Sequence, residues 1–255
     1  MPCAANMQDK TQHTYVITGA GQRAGLALAE HWLAAGHQVI FSYRQPKPGV
    51  MALEQQGALG IQADFSTNEG ILAFAQAVQQ QSDLVHLLVH NASEWSADPK
   101  KEDQEAWQQV AARHQCLFQV HQQAPYLLNL ALEPQLRAAA QQSGQATQII
   151  HLTDDAVRRG SAKHGAYLAT KAALENLTYS FAARFAPQIR VNAIAPALLA
   201  FNDGDSEAYR AEALQKSPLG IEPGFTSLVQ AVDYLIHQPY TTGSILPLNG
   251  GRHLK

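Results

Sequence analysis

Short runs of apolar and β-branched residues alternate along this chain with longer stretches whose apolar positions recur at helical spacing. The runs are TYVIT (14–18), HQVIFSY (37–43), ALGIQA (58–63), LVHLLVH (84–90), TQIIHL (147–152), IRVNAIA (189–195) and SILPL (244–248). Most are nearly continuous in apolar character, as strands covered on both faces are. Between the first two lies QRAGLALAEHWLAAG, an amphipathic helical pattern that ends at Gly36, a residue suited to closing a helix. Strand–helix alternation of this kind implies a parallel sheet with helices on both faces. No Pro/Gly/Ser linker divides the chain and no repeat period is visible. The expectation is one doubly wound α/β domain over 14–255, with about seven parallel strands, preceded by a flexible tail over 1–13.

Composition narrows the setting. The 255 residues are 46% hydrophobic and 15% charged, enough apolar material for a sizeable core. A formal net charge of −3 argues against broad electrostatic attachment to nucleic acid or an anionic membrane. No apolar run approaches the roughly 20 residues that span a bilayer. The opening MPCAANMQDKTQH lacks the basic region and apolar core of a secretory signal. Cys3 and Cys116 form no framework of spaced pairs, so free thiols in a reducing cytoplasm are the economical reading. No His/Cys/Asp cluster has zinc-ligand spacing, and no metal is expected.

The first strand runs directly into TGAGQRAGLAL. A glycine-rich turn between strand and helix lets backbone N–H groups approach a pyrophosphate, which the helix dipole favours. Gly19 permits the tight turn, Gly21 keeps the loop open and Gly25 allows close helix packing. The second strand ends FSYRQPK, where a dinucleotide fold places the adenosine ribose. An acidic residue there would bind the 2′-hydroxyl; Arg44 instead offers a planar fork suited to a 2′-phosphate, so NADPH is expected over NADH. Asp64 in ADFS is placed to accept from the adenine amino group, and Asn91 and Ala92 in HNAS to line the adenosine side.

Further along, Tyr167 stands four residues before Lys171 in a helical segment, and Asp154 lies thirteen residues upstream of the tyrosine, just past an apolar run. On one helix, positions i and i+4 share a face, and an ammonium beside a phenol favours its ionised form.

TGAGQRAG, ADFS, HNAS, YLATK and VNAIAP occur in the order seen in the short-chain dehydrogenases/reductases, and cover nearly the whole chain. The resemblance implies a Rossmann-like sheet, a proton-donating Tyr167, and a Lys171 that lowers the pKa of that phenol and holds the nicotinamide ribose. It extends the expected cofactor lining to Gln22, Arg23, Ala24, Tyr43, Phe65, Ser93, Thr153, Pro196, Ala197 and Leu198, with the carboxamide side near the backbone of Ala197 and Leu198. A homotetramer is implied as well.

Four departures narrow the resemblance. The usual catalytic serine is Asp154, the middle glycine of TGxxxGxG is Arg23, the glycine of NNAG is Ser93, and the helix asparagine before a proline is His121, four residues before Pro125. Aspartate for serine, arginine in the glycine loop and NAS together resemble the pteridine reductases of this family, which implies NADPH-dependent reduction of a dihydropterin and secondary activity on dihydrofolate. The chemistry agrees. A carboxylate would repel the alkoxide formed from a ketone, whereas hydride addition to C6 of a C6=N5 imine leaves N5 needing a proton. A buried Asp154 beside Tyr167, with a raised pKa, can feed that proton. Asp155 is the more natural capping residue of the pair. Arg23 is placed to meet either a cofactor phosphate or the polar edge of the pterin. Trp95, Leu198 and Phe201 are substrate-wall candidates, with plain packing an equal alternative for each, and His121 replaces the residue of the family's water relay with one able to hold or pass a proton. His164 and His253 carry no assigned role. Two other functions remain open at this point: a reductase of small ketones or 3-oxoacyl thioesters, and an NADPH-binding regulatory protein without catalysis.

Overall fold

In the computed structural model, which describes residues 12–100 and 106–255, the first apolar run forms strand β1 (Thr14–Thr18), buried along its whole length. The remaining runs form β2 (Gln38–Tyr43), β3 (Leu59–Gln62), β4 (Leu87–His90), β5 (Thr147–Leu152), β6 (Ile189–Pro196) and β7 (Ile245–Leu248). They pair in parallel as one seven-stranded sheet in the order β3-β2-β1-β4-β5-β6-β7. Most of the tail expected over 1–13, Cys3 included, lies outside the described residues.

The helices are α1 (Arg23–Ala34), α2 (Pro48–Gln55), α3 (Asn68–Gln81), α4 (Trp107–Phe118), α5 (Ala124–Ala131), α6 (Glu133–Ser143), α7 (Gly165–Phe185), α8 (Glu207–Gln215) and α9 (Thr226–His237). None is long and apolar enough to cross a membrane. Because side chains alternate across a strand, Tyr15 and Ile17 join a core with Leu28, Trp32 and Val232, while Val16 faces Phe74, Leu128 and Phe181 on the other side. β1 is therefore apolar at both parities.

Two polar features are buried inside this frame. Arg190 on β6 is almost inaccessible, and its guanidinium donates to the carbonyls of Leu235, Ile236 and Gln238 at 2.8–2.9 Å. These are the last carbonyls of α9, so the cation satisfies the negative end of a helix in place of a carboxylate. At the centre of the sheet, His90 Nε2 meets Asn129 Oδ1 at 2.8 Å, Asn129 Nδ2 meets His151 Nε2 at 3.3 Å, and His151 Nδ1 meets Thr178 Oγ1 at 2.8 Å. The histidines sit opposite each other in the β4–β5 register, immediately before the loops that carry Asn91 and Thr153.

Burial pushes the His90 pKa down to about 4 and that of His151 well below its ordinary value. A base whose folded pKa is depressed favours folding above its unfolded pKa of about 6.5; below that, the unfolded chain takes up the proton first. Stability is expected to fall as pH drops from about 6.5 towards 4, with His90 alone contributing about 2 kcal/mol of loss at pH 5. Urea unfolding midpoints at pH 7 and pH 5 measure it, and His90→Gln should flatten the dependence.

Candidate active site

Strand order reverses between β1 and β4, and the chain parts there at the carboxyl ends of the two strands, the place where open α/β sheets bind ligands. The parting is braced. Thr18 Oγ1 accepts from the N–H groups of Asn91 and Ala92 at 3.0 Å each, and Asn91 Nδ2 donates to the carbonyls of Thr18 and Gly19 at 3.0 and 2.7 Å. Gly19 turns at φ +73°, and a Cβ on it would lie 2.8 Å from Ala92 Cα. A Cβ on Gly25 would lie 2.4 Å from the Gly19 carbonyl, so the helix-packing role expected of that glycine has a steric basis.

A cavity of about 360 Å³ opens beside this brace. The predicted residues of the turn (Gly19, Gly21, Gln22, Arg23, Ala24) and of the next strand ends (Tyr43, Arg44, Asp64, Phe65, Asn91, Ala92, Ser93) all line it. So do Lys47 and Glu94, which sequence reasoning did not single out. The first turn of α1 has no side-chain cap, which leaves N–H groups for an anion. Glycine cradle, uncapped helix and the cations Arg23, Arg44 and Lys47 make a donor set that fits a phosphorylated dinucleotide. The Asn91 amide, however, is committed to the brace. Asp64 keeps one carboxyl oxygen on the Ser66 N–H at 2.9 Å, the first cause of a lowered pKa.

The cavity lining does not include Thr153, Tyr167, Lys171, Pro196, Ala197 or Leu198, which belong to the neighbouring ends of β5 and β6 and to α7. There Tyr167 Oη donates to Asp154 Oδ2 at 3.4 Å, and the Lys171 ammonium lies 5.7 Å from the centre of the tyrosine ring. Burial and the adjacent Asp154 carboxylate push the phenol pKa above its ordinary range, while Ser93 opposes them. Lys171 donates to the Leu152 carbonyl at 2.9 Å, and burial brings its pKa down to about 8, partly offset by Asp154. Burial first and the Asp154 carboxylate second thus act on the phenol in the direction opposite to the lowering expected of Lys171.

Other expectations are corrected by where side chains spend their hydrogen bonds. Asp154, not Asp155, is the capping residue: its Oδ1 accepts from Ala156 N–H at 2.8 Å and opens the short 3₁₀ turn Asp155–Arg158. It is half-buried, so one carboxylate both shapes the turn and faces Tyr167. Asp155 is buried, bound to Arg159 at 2.6 Å and to Asn249 at 2.5 Å. The Thr153 hydroxyl donates to Glu175 and to the Ile194 carbonyl. The Ala197 N–H is occupied by the Leu248 carbonyl at 3.0 Å, because β6–β7 pairing runs on past Pro196, which is itself in register with Leu248. Of the pair expected to meet the carboxamide, Leu198 is left; it lines a smaller, largely apolar cavity of about 160 Å³ with Leu214, Leu219 and Leu248.

Arg23 occupies the middle glycine position at φ +51°, a left-handed conformation that costs a side-chain-bearing residue of order 1–3 kcal/mol. Its guanidinium donates to Ala200 O and Asn202 Oδ1 at 2.8 Å and lies over the Phe225 ring. Those contacts tether the glycine loop to the segment after β6. Phe201 is buried between Arg210 and Tyr209, where packing explains it. Trp95 is 63% exposed and touches His164, so it is no core residue.

His121 sits in a π-helical turn (Gln119–Gln123) ahead of Pro125, which has no N–H for the His121 carbonyl. The ring is buried, its Nε2 accepts from the Glu94 N–H at 3.1 Å and bonds Ser93 Oγ, and its Nδ1 bonds Thr170 Oγ1. Burial, then the Lys171 charge, pushes its pKa down to about 2, so the ring is a neutral anchor for the 93–94 turn. Asp98 is another residue that sequence did not signal. Its carboxylate accepts from Gly165 and Ala166 N–H groups and caps α7 from 67 residues away. Among the described residues, no three His, Cys, Asp or Glu side chains are grouped to hold a metal ion, and Cys116 is a free thiol.

Comparison with known proteins agrees with this geometry. Residues 13–210 match the short chain dehydrogenase family. The chain is 46% identical over 249 residues to the dihydromonapterin reductase of Klebsiella pneumoniae, covering 98% of this chain and 100% of that one. It is also 46% identical over 248 residues to that of an Enterobacter species, covering 97% and 100%. The crystal structure of FolM alternative dihydrofolate reductase 1 from Brucella canis, complexed with NADP, superposes with a TM-score of 0.82 over 95% of this chain and 94% of that one; at 24% identity this is a likeness of fold. With an unbroken match over most of its length and the strand order, glycine turn and Tyr167–Lys171 pair in place, the chain belongs to the short chain dehydrogenase family.

Proposed function

We propose that this chain reduces 7,8-dihydromonapterin to tetrahydromonapterin with NADPH, and dihydrofolate as a secondary substrate. The observation that carries the reading is the Asp154 carboxylate facing the Tyr167 phenol at 3.4 Å. Relatives 46% identical over nearly the whole chain and named dihydromonapterin reductase support it. In this reading the glycine turn and the first turn of α1 hold the diphosphate, Arg44 and Lys47 the 2′-phosphate, and Lys171 the nicotinamide ribose. NADPH supplies the hydride when bound. Tyr167 gives its proton to N5 as C6 of the imine is reduced. Its raised pKa keeps that proton in place at neutral pH until the substrate nitrogen becomes basic enough to take it. The resulting phenolate is flanked by Lys171 and recovers its proton from solvent, relayed through Asp154, which is open to solvent on one side. A ketone would form an alkoxide against the same carboxylate, and the charges would repel. We further propose a cytoplasmic homotetramer acting on a small molecule, with no nucleic-acid or membrane partner; exposed Trp107 and Phe118 on α4 and Tyr179 on α7 supply apolar surface of the kind subunit contacts cover.

Absorbance loss of NADPH is expected with dihydromonapterin, weaker loss with dihydrofolate, and none with simple ketones; turnover of ketones alone would overturn the assignment. Asp154→Asn should lower kcat for the pterin by about 10²–10⁴ while the Kd for NADPH stays within about threefold. Equal damage to both would mark Asp154 as a cap alone. Since Lys171 loses its charge as pH rises through about 8, kcat/KM for NADPH should decline above that pH, and Lys171→Arg should move the decline upward.

A further inference from the structure

An ion pair spans the solvent edge of the large cavity. Arg44 leaves the end of β2, Glu94 leaves the loop after β4, and Arg44 Nη1 donates to Glu94 Oε2 at 2.5 Å. Both side chains line the cavity, and both are partly exposed. The backbone of Glu94 is not free to swing away. Its N–H is held by the buried His121 ring, whose other nitrogen is held by Thr170 on α7. Only the Glu94 side chain can yield. Of the other two cations of this lining, Lys47 is engaged by Gln22 and Arg23 by Ala200 and Asn202, and Asp64 adds a further negative charge on the same wall.

We infer that Glu94 competes with the 2′-phosphate of the cofactor for Arg44, and so restrains the preference of this site for the phosphorylated over the unphosphorylated dinucleotide. The inference rests on the NADPH reading above. A 2′-phosphate carries about −1.5 to −2 at neutral pH. When it pairs with Arg44 it must either displace the carboxylate or sit beside it as a like charge. The fork of one arginine cannot serve both anions with the same donors. Because the pair is at the surface, the effect is moderate and screened by salt. The unphosphorylated nucleotide brings no such anion to Arg44, so Glu94 leaves its affinity alone.

Isothermal titration of the intact protein with 2′,5′-ADP and with 5′-AMP separates the cases. In Glu94→Gln, the Kd for 2′,5′-ADP should fall about three- to tenfold at low salt, with the gain shrinking as salt rises, while that for 5′-AMP moves by less than about twofold. Glu94→Ala should act in the same direction, which guards against an idiosyncrasy of the amide. If 2′,5′-ADP binds the parent protein and both variants with the same affinity, or if 5′-AMP tightens equally, the competition is refuted and the cofactor reading stands. If 2′,5′-ADP binds no better than 5′-AMP to any of them, the NADPH reading fails and the inference fails with it.

Discussion

The hydrogen bonds that tie Asn91 and Ala92 to Thr18 and Gly19 are the constraint on which the rest of this site depends. They join the ends of two strands that are adjacent in the sheet but are more than seventy residues apart in sequence. Without that tie, the glycine turn and the loop after β4 would have no reason to stand at the separation that leaves a cavity between them. The tie also explains why glycine is needed at 19 and 25: the brace brings backbone so close that a Cβ at either place would overlap it. A binding crevice is thus a by-product of satisfying polar groups at the carboxyl ends of two central strands.

The same economy runs through the catalytic end, where single side chains hold two duties. Asp154 caps a turn with one oxygen and meets the phenol with the other, so the turn geometry aims the reactive oxygen. His121 fills a π-helical turn and fixes residues 93–94, linking the cofactor loop to Thr170, the residue next to Lys171. Arg23 accepts a strained backbone and in return fastens the glycine loop to the segment that follows β6. These are positions where the chain departs from its family's pattern, and each departure has a physical partner elsewhere in the fold.

Much of the architecture was legible in the residue pattern. Seven apolar runs became seven strands, because a run that is apolar at both parities has nowhere to go except the middle of a covered sheet. The glycine turn was readable because its chemistry is local: strand, glycines and helix follow one another without a gap. Tyr167 and Lys171 were readable for the same reason, being one helical turn apart. The capping role was misassigned within TDD, since either carboxylate satisfies the same local rule and only the direction of the chain decides between them. Glu94, Lys47 and Asp98 gave no sequence signal, for an isolated charge looks the same on a bland surface as in a site.

What the sequence by itself determined is what short-range periodicity and local turn chemistry encode: the fold class, the phosphate-binding turn, and the phenol–ammonium pair on one helix. What only the tertiary structure decided is how each polar atom is spent. Hydrogen-bonding capacity is finite, and a donor used in the core is unavailable to a ligand. So the Thr153 hydroxyl and the Ala197 N–H are spent within the protein, Asp154 gains a second role, and burial together with the Asp154 carboxylate holds the Tyr167 proton. Those outcomes depend on burial and on contacts between distant segments, which a one-dimensional pattern does not carry.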